Sequence, residues 1–306
     1  MIFAGPCSLP HDPKQAVALA RACKEAGADV FRCKFLVGGS FPPPGGTTDP
    51  LWGPREAAAE CLREISGFMP VACELRAPSL PLVQRWPFVS YWWIPARQMQ
   101  NYDFVRDAAV LCMNVEDNVS TDYNAKWVSR YPTLIIKRAP YARLRDVEGI
   151  VRHVEDVGYP LDRLWVCERG IMTFDHGGEG PAPSWPADFD PMFISDFRKR
   201  FPQVRVMADI SHATGDAGRV RYAAHLAGAS LADAIMVECY DPPEASATDT
   251  ALAVSPDALR RLGLEYSAIR DYAKAFTGFV SLNMASTSAR NTGTSATTTN
   301  STRSVS

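Results

Sequence analysis

The chain has 306 residues, of which 46% are hydrophobic and 22% are charged, and its formal net charge is −2. A chain of this length can bury a sizeable core, and single α/β barrels of about 250 residues are common. The nearly neutral charge argues against a nucleic-acid or membrane-surface role, because either role would need a basic face.

The N-terminus lacks the charged and apolar regions of a signal peptide, and no apolar run approaches the roughly 18 residues that a membrane span needs. The eight cysteines form no regular framework, which indicates reduced thiols. We therefore expect a cytoplasmic protein without membrane or nucleic-acid partners.

Short apolar segments alternate with helical patterns along the chain. Eight of these segments predict strands: Ile2–Cys7, Asp29–Phe35, Val71–Glu74, Tyr91–Arg97, Thr133–Lys137, Leu164–Arg169, Arg205–His212 and Ala234–Tyr240. Asp12 followed by Pro13 predicts the start of the first helix, since a capping carboxylate and an early proline favour that position. Eight such units indicate an α/β fold, a single (β/α)8 TIM barrel. A doubly wound sheet is the alternative, but no glycine-rich fingerprint follows the first strand.

Some stretches exceed this minimal barrel. The segment Gln98–Pro132 is too long for one connecting helix, so it predicts an insertion that either shapes a pocket or decorates the surface. The loop Asp175–Asp190 follows the sixth predicted strand, on the face where barrels carry their chemistry. We predict one barrel domain over residues 1–280 and a disordered Ser/Thr-rich tail over residues 281–306.

Nearly every predicted strand ends in a charged or metal-binding side chain. In chain order these residues are Cys7, Arg32, Lys34, Glu74, Arg97, Lys137, Arg169, Asp209, His212 and Glu238. Catalytic groups of this fold come from the C-terminal ends of several strands. Any one of these residues alone is more simply a structural ion pair. The whole ring predicts a functional site, because so many charges beside a core are costly.

Three of these residues offer a sulfur, an imidazole and a carboxylate: Cys7, His212 and Glu238. They end the first, seventh and eighth predicted strands, which are neighbours in a closed barrel, and Asp249 can fold back as a fourth ligand. This mixed donor set suits Mn, Fe, Co or Zn better than Mg or Ca. The alternatives are a buried thiol for Cys7 and a hydrogen-bonded core histidine for His212.

A second group is cationic and comprises Arg97, Lys137, Arg169 and Arg32. Arginine binds phosphate or carboxylate with two parallel hydrogen bonds, and lysine acts as a point charge. Together they predict a small substrate with several negative charges. The alternative is a structural network in which Glu74 and Glu168 pair with the arginines.

Six segments carry a family resemblance. They are Ala4–Ser8 (AGPCS), Pro95–Asn101 (PARQMQN), Ile136–Arg138 (IKR), Cys167–Phe174 (CERGIMTF), Asp209–Gly215 (DISHATG) and Ile235–Glu238 (IMVE). In this order they resemble the class I 3-deoxy-D-arabino-heptulosonate 7-phosphate (DAHP) synthases, and the related synthases of 3-deoxy-D-manno-octulosonate 8-phosphate.

The resemblance implies a transferase that condenses phosphoenolpyruvate with an aldose phosphate to give a 3-deoxy-2-ulosonate phosphate and inorganic phosphate. It implies a divalent metal, manganese first and cobalt, iron or zinc next, held by Cys7, His212, Glu238 and Asp249. It implies phosphoenolpyruvate held by Arg97, Lys137 and Arg169. Further substrate-binding candidates are Arg32, Lys34 and Glu168, and the catalytic candidates are Glu74, Lys137 and Asp209. We also expect a homo-oligomer.

Two departures from the family pattern concern the acceptor. Gly38–Pro44 (GGSFPPP) stands where the family has a Lys-Pro-Arg-Thr segment, and Asp216-Ala217 replaces a basic pair after His212. Both changes remove positive charge. We therefore keep two hypotheses, an ordinary DAHP synthase and a sister synthase for an acceptor other than erythrose 4-phosphate.

Two further readings are disfavoured. A catalytically retired, anion-binding barrel would usually have lost Cys7 or Lys137. A zinc hydrolase would normally carry a histidine-rich first strand, which is missing here. Because the sequence begins at the first strand, we expect no feedback control through an N-terminal extension.

Overall fold

A computed structural model describes residues 1–10, 12–34, 55–74, 86–95, 106–114, 128–172, 187–246 and 249–291. Its strands are β1 (Ile2–Gly5), β2 (Val30–Lys34), β3 (Val71–Glu74), β4 (Tyr91–Pro95), β5 (Ala109–Asn114), β6 (Thr133–Lys137), β7 (Leu164–Glu168), β8 (Ile171–Met172), β9 (Ala187–Asp188), β10 (Arg205–Asp209) and β11 (Ala234–Glu238). Nine of these form a closed barrel in the order β1-β11-β10-β7-β6-β5-β4-β3-β2, and β8 and β9 make a separate antiparallel pair.

Helices follow most of the barrel strands. They are α1 (Pro13–Glu25), α2 (Arg55–Ser66), α3 (Leu144–Asp156), α4 (Pro191–Arg200), α5 (Ile210–Thr214), α6 (Ala217–Ala229) and α7 (Pro256–Asn291), with short 3-10 turns at Arg106–Ala108, Leu161–Arg163, Pro243–Ala245 and Thr250–Leu252. The predicted helix start is confirmed, because the Asp12 side chain accepts a hydrogen bond from Lys14 N and Pro13 occupies the first turn. No helix in the described part of the chain is long and apolar enough to cross a membrane.

The closed parallel α/β barrel is confirmed, but the prediction of eight strands was wrong. All eight predicted strands are present, and a ninth, β5, lies inside the segment Gln98–Pro132 that we assigned to an insertion. It pairs in parallel with β4 through Val110 and Trp93, and with β6 through Met113 and Ile136. Part of this segment is therefore barrel wall, while residues 98–105 and 115–127 lie outside the described residues.

Large side chains fill the barrel interior. One interior cluster contains Phe3, Trp93, Met207 and Met236, with Trp165 packed against it, and the Phe3 and Trp93 rings lie 5.8 Å apart. Barrel diameter grows with strand number, so a nine-stranded barrel needs more interior volume than an eight-stranded one. Aromatic and methionine side chains supply that volume, and the alternate strand residues face outward to pack under the helices.

The final helix, α7, reaches Asn291 and so continues into the 281–306 segment that we predicted as a disordered tail. Residues 292–306 lie outside the described residues, so the tail and the division at residue 280 stay predictions. The first half of α7 closes the structure against α6. An added Cβ at Gly228 on α6 would lie 2.8 Å from the carbonyl oxygen of Tyr266, which explains the close approach of the two helices at that glycine.

Candidate active site

Beyond the hydrophobic layer, the next interior-facing positions toward the C-terminal ends of the strands carry polar side chains. Because strand residues alternate between two faces, each lies two or four residues beyond an interior apolar residue. These steps are Val30 to Arg32 and Lys34 on β2, Ala72 to Glu74 on β3, Ile135 to Lys137 on β6, Cys167 to Arg169 after β7, Met207 to Asp209 on β10, and Met236 to Glu238 on β11. The barrel thus directs them all to the C-terminal end of its interior.

Four potential metal ligands meet at this end. One donor atom from each of Cys7, Glu238 and Asp249 lies within 4.8 Å of the other two. The Nε2 atom of His212 lies 3.9 Å from Oε1 of Glu238 and 3.7 Å from Oδ2 of Asp249. The order β1-β11-β10 explains this convergence, because Cys7, Glu238 and His212 follow those three neighbouring strands.

The donor set fits a metal ion on one observation. Oε2 of Glu238 is buried and has no hydrogen-bond partner among the described residues, whereas Oε1 is 2.5 Å from Nη1 of Arg32. Buried polar atoms are almost always satisfied, so an orphaned carboxylate oxygen beside a thiol and an imidazole indicates a missing ligand. Burial raises the pKa of the Cys7 thiol to about 11, so the thiol keeps its proton when no cation is bound. To act as a ligand it would have to lose that proton to a bound cation.

A contact at Nδ1 orients the imidazole of His212 so that its Nε2 atom faces Glu238 and Asp249. Nδ1 lies 2.9 Å from Oδ1 of Asp209, and the same oxygen accepts the backbone N–H of His212 at 3.2 Å. A carboxylate that holds one ring nitrogen leaves the other available to a metal, an arrangement common at metal sites. Burial acts to raise the pKa of Asp209, but His212, Arg169 and Arg32 outweigh it and hold that pKa below its usual range.

Asp249 reaches the cluster from the loop after β11. Its backbone is left-handed, with φ 53° and ψ 34°, a conformation that non-glycine residues seldom adopt. The nearby His212, whose Nε2 lies 3.7 Å away, and then Cys7 and Lys34 hold the pKa of its carboxyl below the usual range. The side chain is therefore a charged carboxylate at ordinary pH, available to a cation.

Lys34 lies between Glu74 and the four potential metal ligands Cys7, His212, Glu238 and Asp249, which together are called the metal-type cluster. Its Nζ lies 3.1 Å from Sγ of Cys7 and 4.0 Å from Oε2 of Glu74. Both Glu74 and Arg32 are buried, and the Arg32 guanidinium pairs with Glu238. The structure thus places Arg32 as a support for Glu238, and its proposed contact with substrate stays a prediction.

Two further cations, Arg169 and Lys137, stand at interior positions at the ends of the neighbouring strands β7 and β6. Nε of Arg169 donates to Oδ2 of Asp209 at 3.0 Å. No hydrogen bond joins Nζ of Lys137, or the terminal nitrogens of Arg169, to any residue that the structure describes. The buried thiol of Cys112, another interior residue, has a pKa that burial raises, and the charges of Lys137, Glu74, Arg32 and Arg169 also act on it.

Glu168 does not face the interior with this ring, and its assignment to substrate binding stays a prediction. It follows the interior residue Cys167 and therefore faces outward. Its side chain is fully buried, with Oε2 2.9 Å from Nη1 of Arg138 and with Oε1 accepting the backbone N–H groups of Gly170 and Asp190. Both oxygens are committed to protein partners on the helix side of the wall.

Other predicted features lie outside the described residues. They are Arg97 within residues 96–100, the proline-rich segment Gly38–Pro44, and residues 173–186, which include most of the loop Asp175–Asp190. Asp216 is described, and its side chain accepts the N–H of Gly218 at 2.8 Å as the N-cap of α6. Asp216 therefore places a helix-capping carboxylate at the position where the resemblance implies a basic pair.

Sequence reasoning missed three supporting residues. Arg138 and Asp190 complete the buried ion network around Glu168, and the hydroxyl of Ser211 accepts the backbone N–H of Glu238 at 2.9 Å. The alternation of strand residues could have revealed Arg138 and Glu168, because oppositely charged residues stand at matching outward positions of two strands. No comparable signal marks Ser211.

The barrel and the side chains at its C-terminal end define a class of protein, an α/β barrel with a candidate metal centre beside a pair of inward cations. The model of the DAHP synthetase I family matches residues 1–274, so the chain belongs to that family, a family of synthases. No curated protein gives a significant match.

Solved structures show the same fold. Phospho-2-dehydro-3-deoxyheptonate aldolase (DAHP synthase) from Thermotoga maritima has a TM-score of 0.61 and 22% identity, covering 90% of this chain and 70% of that chain. A truncated form of 3-deoxy-D-arabino-heptulosonate 7-phosphate synthase from Thermotoga maritima has a TM-score of 0.58 and 21% identity, covering 90% and 87%. At these sequence identities, the structural similarity shows a shared fold and nothing further about function.

Proposed function

We propose that the chain is a metal-dependent synthase that condenses phosphoenolpyruvate with the aldehyde carbon of an aldose phosphate. The observation that carries this proposal is the pairing of a Cys/His/Glu/Asp cluster with two inward cations, Lys137 and Arg169. The Nζ atom of Lys137 and the terminal nitrogens of Arg169 have no hydrogen-bond partner among the described residues. Membership in the DAHP synthetase I family supports it.

The cations suit the anionic groups of phosphoenolpyruvate. A guanidinium whose Nε is held by a carboxylate can offer its terminal nitrogens in a fixed orientation, and a lysine adds a point charge. Lys137 and Arg169 would bind the phosphate and carboxylate, with Arg97 as the third cation that the resemblance implies. Asp209 would act by orienting Arg169 and His212 together.

Cys7, His212, Glu238 and Asp249 would hold the divalent ion. Their sulfur, nitrogen and oxygen donors favour manganese in this proposal, with cobalt, iron or zinc as alternatives. When bound, the ion supplies a Lewis acid for the aldehyde oxygen. Arg32 and Ser211 would fix Glu238 as a ligand through its Oε1 atom and its backbone N–H.

The reaction forms one carbon–carbon bond and releases inorganic phosphate. C3 of phosphoenolpyruvate bonds to the aldehyde carbon, whose oxygen takes a proton, and water adds at C2. The C2–O bond to the phosphate then breaks while the new C2 hydroxyl becomes the ketone carbonyl, and the proton of that hydroxyl leaves with the phosphate. We assign Glu74 to accept the proton of the attacking water, and Lys137 to donate a proton to the aldehyde oxygen. Groups held within a hydrogen bond's reach of the reacting atoms are the ones that can perform such transfers.

A second candidate is the same chemistry with an acceptor other than erythrose 4-phosphate. The Asp216 carboxylate, which caps α6 close after His212, favours this candidate because it would repel an acceptor phosphate there. Arg219 lies 3.9 Å from that carboxylate and 3.5 Å from Asp188. Its charge is thus shared between two carboxylates. A cytoplasmic location and a homo-oligomer remain predictions for either candidate.

The test follows loss of phosphoenolpyruvate absorbance with manganese, offering erythrose 4-phosphate, arabinose 5-phosphate and unphosphorylated aldoses in parallel. Turnover with erythrose 4-phosphate supports a DAHP synthase. Turnover only with another aldehyde supports the second candidate. Absence of turnover with every aldehyde, under conditions in which the protein binds manganese, would overturn both and favour a retired barrel.

A further inference from the structure

We propose that Arg138, Glu168 and Asp190 form a positioning network that sets the directions of Lys137 and Arg169, and so determines affinity for phosphoenolpyruvate. This inference rests on the proposed function. None of the three residues faces the barrel interior, so the network would act on substrate only through its sequence neighbours.

The two inward cations are sequence neighbours of two network residues, and strand alternation places the members of each pair on opposite faces of the barrel wall. Lys137 and Arg138 are consecutive at the end of β6, and Glu168 and Arg169 are consecutive at the end of β7. In each pair one residue faces the interior and the next faces the helices. A movement of the outer residue must therefore move the backbone that carries the inner cation.

The outer residues are locked together across the two strands. Nη1 of Arg138 lies 2.9 Å from Oε2 of Glu168 and 2.9 Å from Oδ2 of Asp190, and its Nε donates to the carbonyl of Ala142 at 3.0 Å. Its guanidinium also lies 4.2 Å from the ring centre of Phe193. The backbone N–H of Arg138 donates to the carbonyl of Cys167 at 2.9 Å.

Glu168 then fixes the turn that directs Arg169. Its Oε1 accepts the N–H of Gly170 at 2.8 Å, and Gly170 has φ +93°, a left-handed backbone that suits glycine. The same oxygen accepts the N–H of Asp190, whose side chain caps α4 by accepting the N–H of Phe193 at 3.0 Å. Arg169 is thus held by Glu168 through the turn and by Asp209 through its own Nε.

The burial of this network favours a positioning role over a purely stabilising one. Glu168 is completely buried and Arg138 is 6% exposed. A well-packed hydrophobic group could often replace such a buried ion pair without loss of stability, whereas directed hydrogen bonds also set the orientation of the groups they join. Two cations that must meet one small anion need such a fixed spacing, because displacements of about 1 Å can cost on the order of a hundredfold in rate.

The test uses three variants, with equilibrium affinity for phosphoenolpyruvate in the presence of manganese as the main readout. Glu168→Gln turns an amide N–H toward Arg138, Arg138→Met removes the charge, and Arg138→Lys keeps the charge but cannot reach all three acceptors. We expect the dissociation constant of phosphoenolpyruvate to rise on the order of tenfold or more for Glu168→Gln and Arg138→Met, and less for Arg138→Lys. The KM of the acceptor aldehyde should not change.

Glu148→Gln is the matched control, because Glu148 pairs with Arg200 at 2.5 Å between α3 and α4 and has no link to the two cations. It should lower the melting temperature without changing the affinity for phosphoenolpyruvate. Unchanged affinity in folded Arg138→Met or Glu168→Gln would overturn the network, as would an equal loss of affinity in Glu148→Gln. If Glu168→Gln does not fold, the two Arg138 variants decide the outcome.

This readout separates the network from the proposed reaction. A wild-type protein that binds phosphoenolpyruvate but consumes none with any aldehyde contradicts the reaction alone, and the affinity comparison still tests the network. A wild-type protein that turns over while the variants bind equally well contradicts the network alone. A wild-type protein that binds no phosphoenolpyruvate overturns the network proposal as well.

Discussion

The Oδ1 atom of Asp209 lies 2.9 Å from Nδ1 of His212, at the junction of β10 and α5. The other oxygen of this fully buried carboxylate accepts the Nε of Arg169 at 3.0 Å. One residue therefore orients a member of the metal-type cluster and a member of the cationic pair. Removal of the Asp209 carboxylate should weaken the binding of both the metal and the substrate. This double effect distinguishes Asp209 from a residue that belongs to the metal-type cluster alone or to the cationic pair alone.

Asp209→Asn should lower metal affinity by about ten- to a hundredfold, as the loss of a group that orients a ligating histidine usually does. It should also raise the dissociation constant of phosphoenolpyruvate, because Arg169 loses the charge that holds its Nε. Titration of the metal-free protein with manganese, followed by titration with phosphoenolpyruvate, measures both effects.

Glu265→Gln provides the control for that experiment. Its carboxylate lies 2.6 Å from Nε2 of His225 on the outer surface between α6 and α7, a second histidine–carboxylate pair remote from the barrel interior. Both affinities should stay at the wild-type value in this variant. A folded Asp209→Asn protein with wild-type metal affinity would show that Asp209 does not support a metal ligand.

Cys7→Ser tests the sulfur ligand directly. With cobalt(II) in place of the native ion, a thiolate ligand gives a charge-transfer absorption in the near ultraviolet, and a serine cannot give it. We expect the band in the wild-type protein and its loss in Cys7→Ser. Cys112→Ser is the matched control, since Cys112 is also a buried interior cysteine whose pKa burial raises to about 11. Retention of the band in Cys7→Ser would exclude Cys7 as the ligand.

Most of the barrel could be predicted from sequence because its strands are short apolar runs separated by helical patterns. The strand β5 was missed although Ala109–Asn114 is such a run, with Val110, Leu111 and Met113 buried. A short apolar run has no periodicity that separates a buried strand from part of a helix. Its neighbours on both sides along the chain lacked a clear pattern, so only its pairing with β4 and β6 identifies it.

The candidate site shows a similar division between what sequence can and cannot predict. The residue types at strand ends predicted a polar ring, and the neighbouring positions of β1, β10 and β11 follow from closure of the barrel. Charge alone did not tell which face a side chain takes. Glu168 and Arg169 were both assigned to substrate, although consecutive residues at a strand end face opposite sides. Alternation, applied strictly, would have assigned Glu168 to the helix side.

Lys137→Met should reduce kcat/KM by about a hundredfold or more, because removing one preorganised charge or donor from an active site typically costs that much. Lys137→Arg should recover part of the affinity for phosphoenolpyruvate but little of kcat, since a guanidinium binds anions without donating a proton. Lys199→Met is the control, because Lys199 is an exposed lysine paired with Asp196 on α4. Steady-state rates with manganese and the accepted aldehyde measure the effect. Equal rates for Lys137→Met and Lys199→Met would remove Lys137 from the proposed mechanism.

Gly5→Ala should destabilise both the fold and the site. Gly5 has φ +153°, and an added Cβ would lie 2.3 Å from the carbonyl oxygen of Arg32 on the neighbouring strand, so β1 must move away from β2. We expect the free energy of unfolding to fall by about 2–4 kcal/mol. Metal affinity should fall with it, because Cys7 follows β1 and Arg32 holds Glu238. In the control Gly149→Ala, the new methyl group on α3 meets nothing within 4 Å, so stability should rise by about 0.5–1 kcal/mol. Urea unfolding of both variants measures the difference, and equal stability of Gly5→Ala and wild type would show that β1 and β2 do not approach as closely as described.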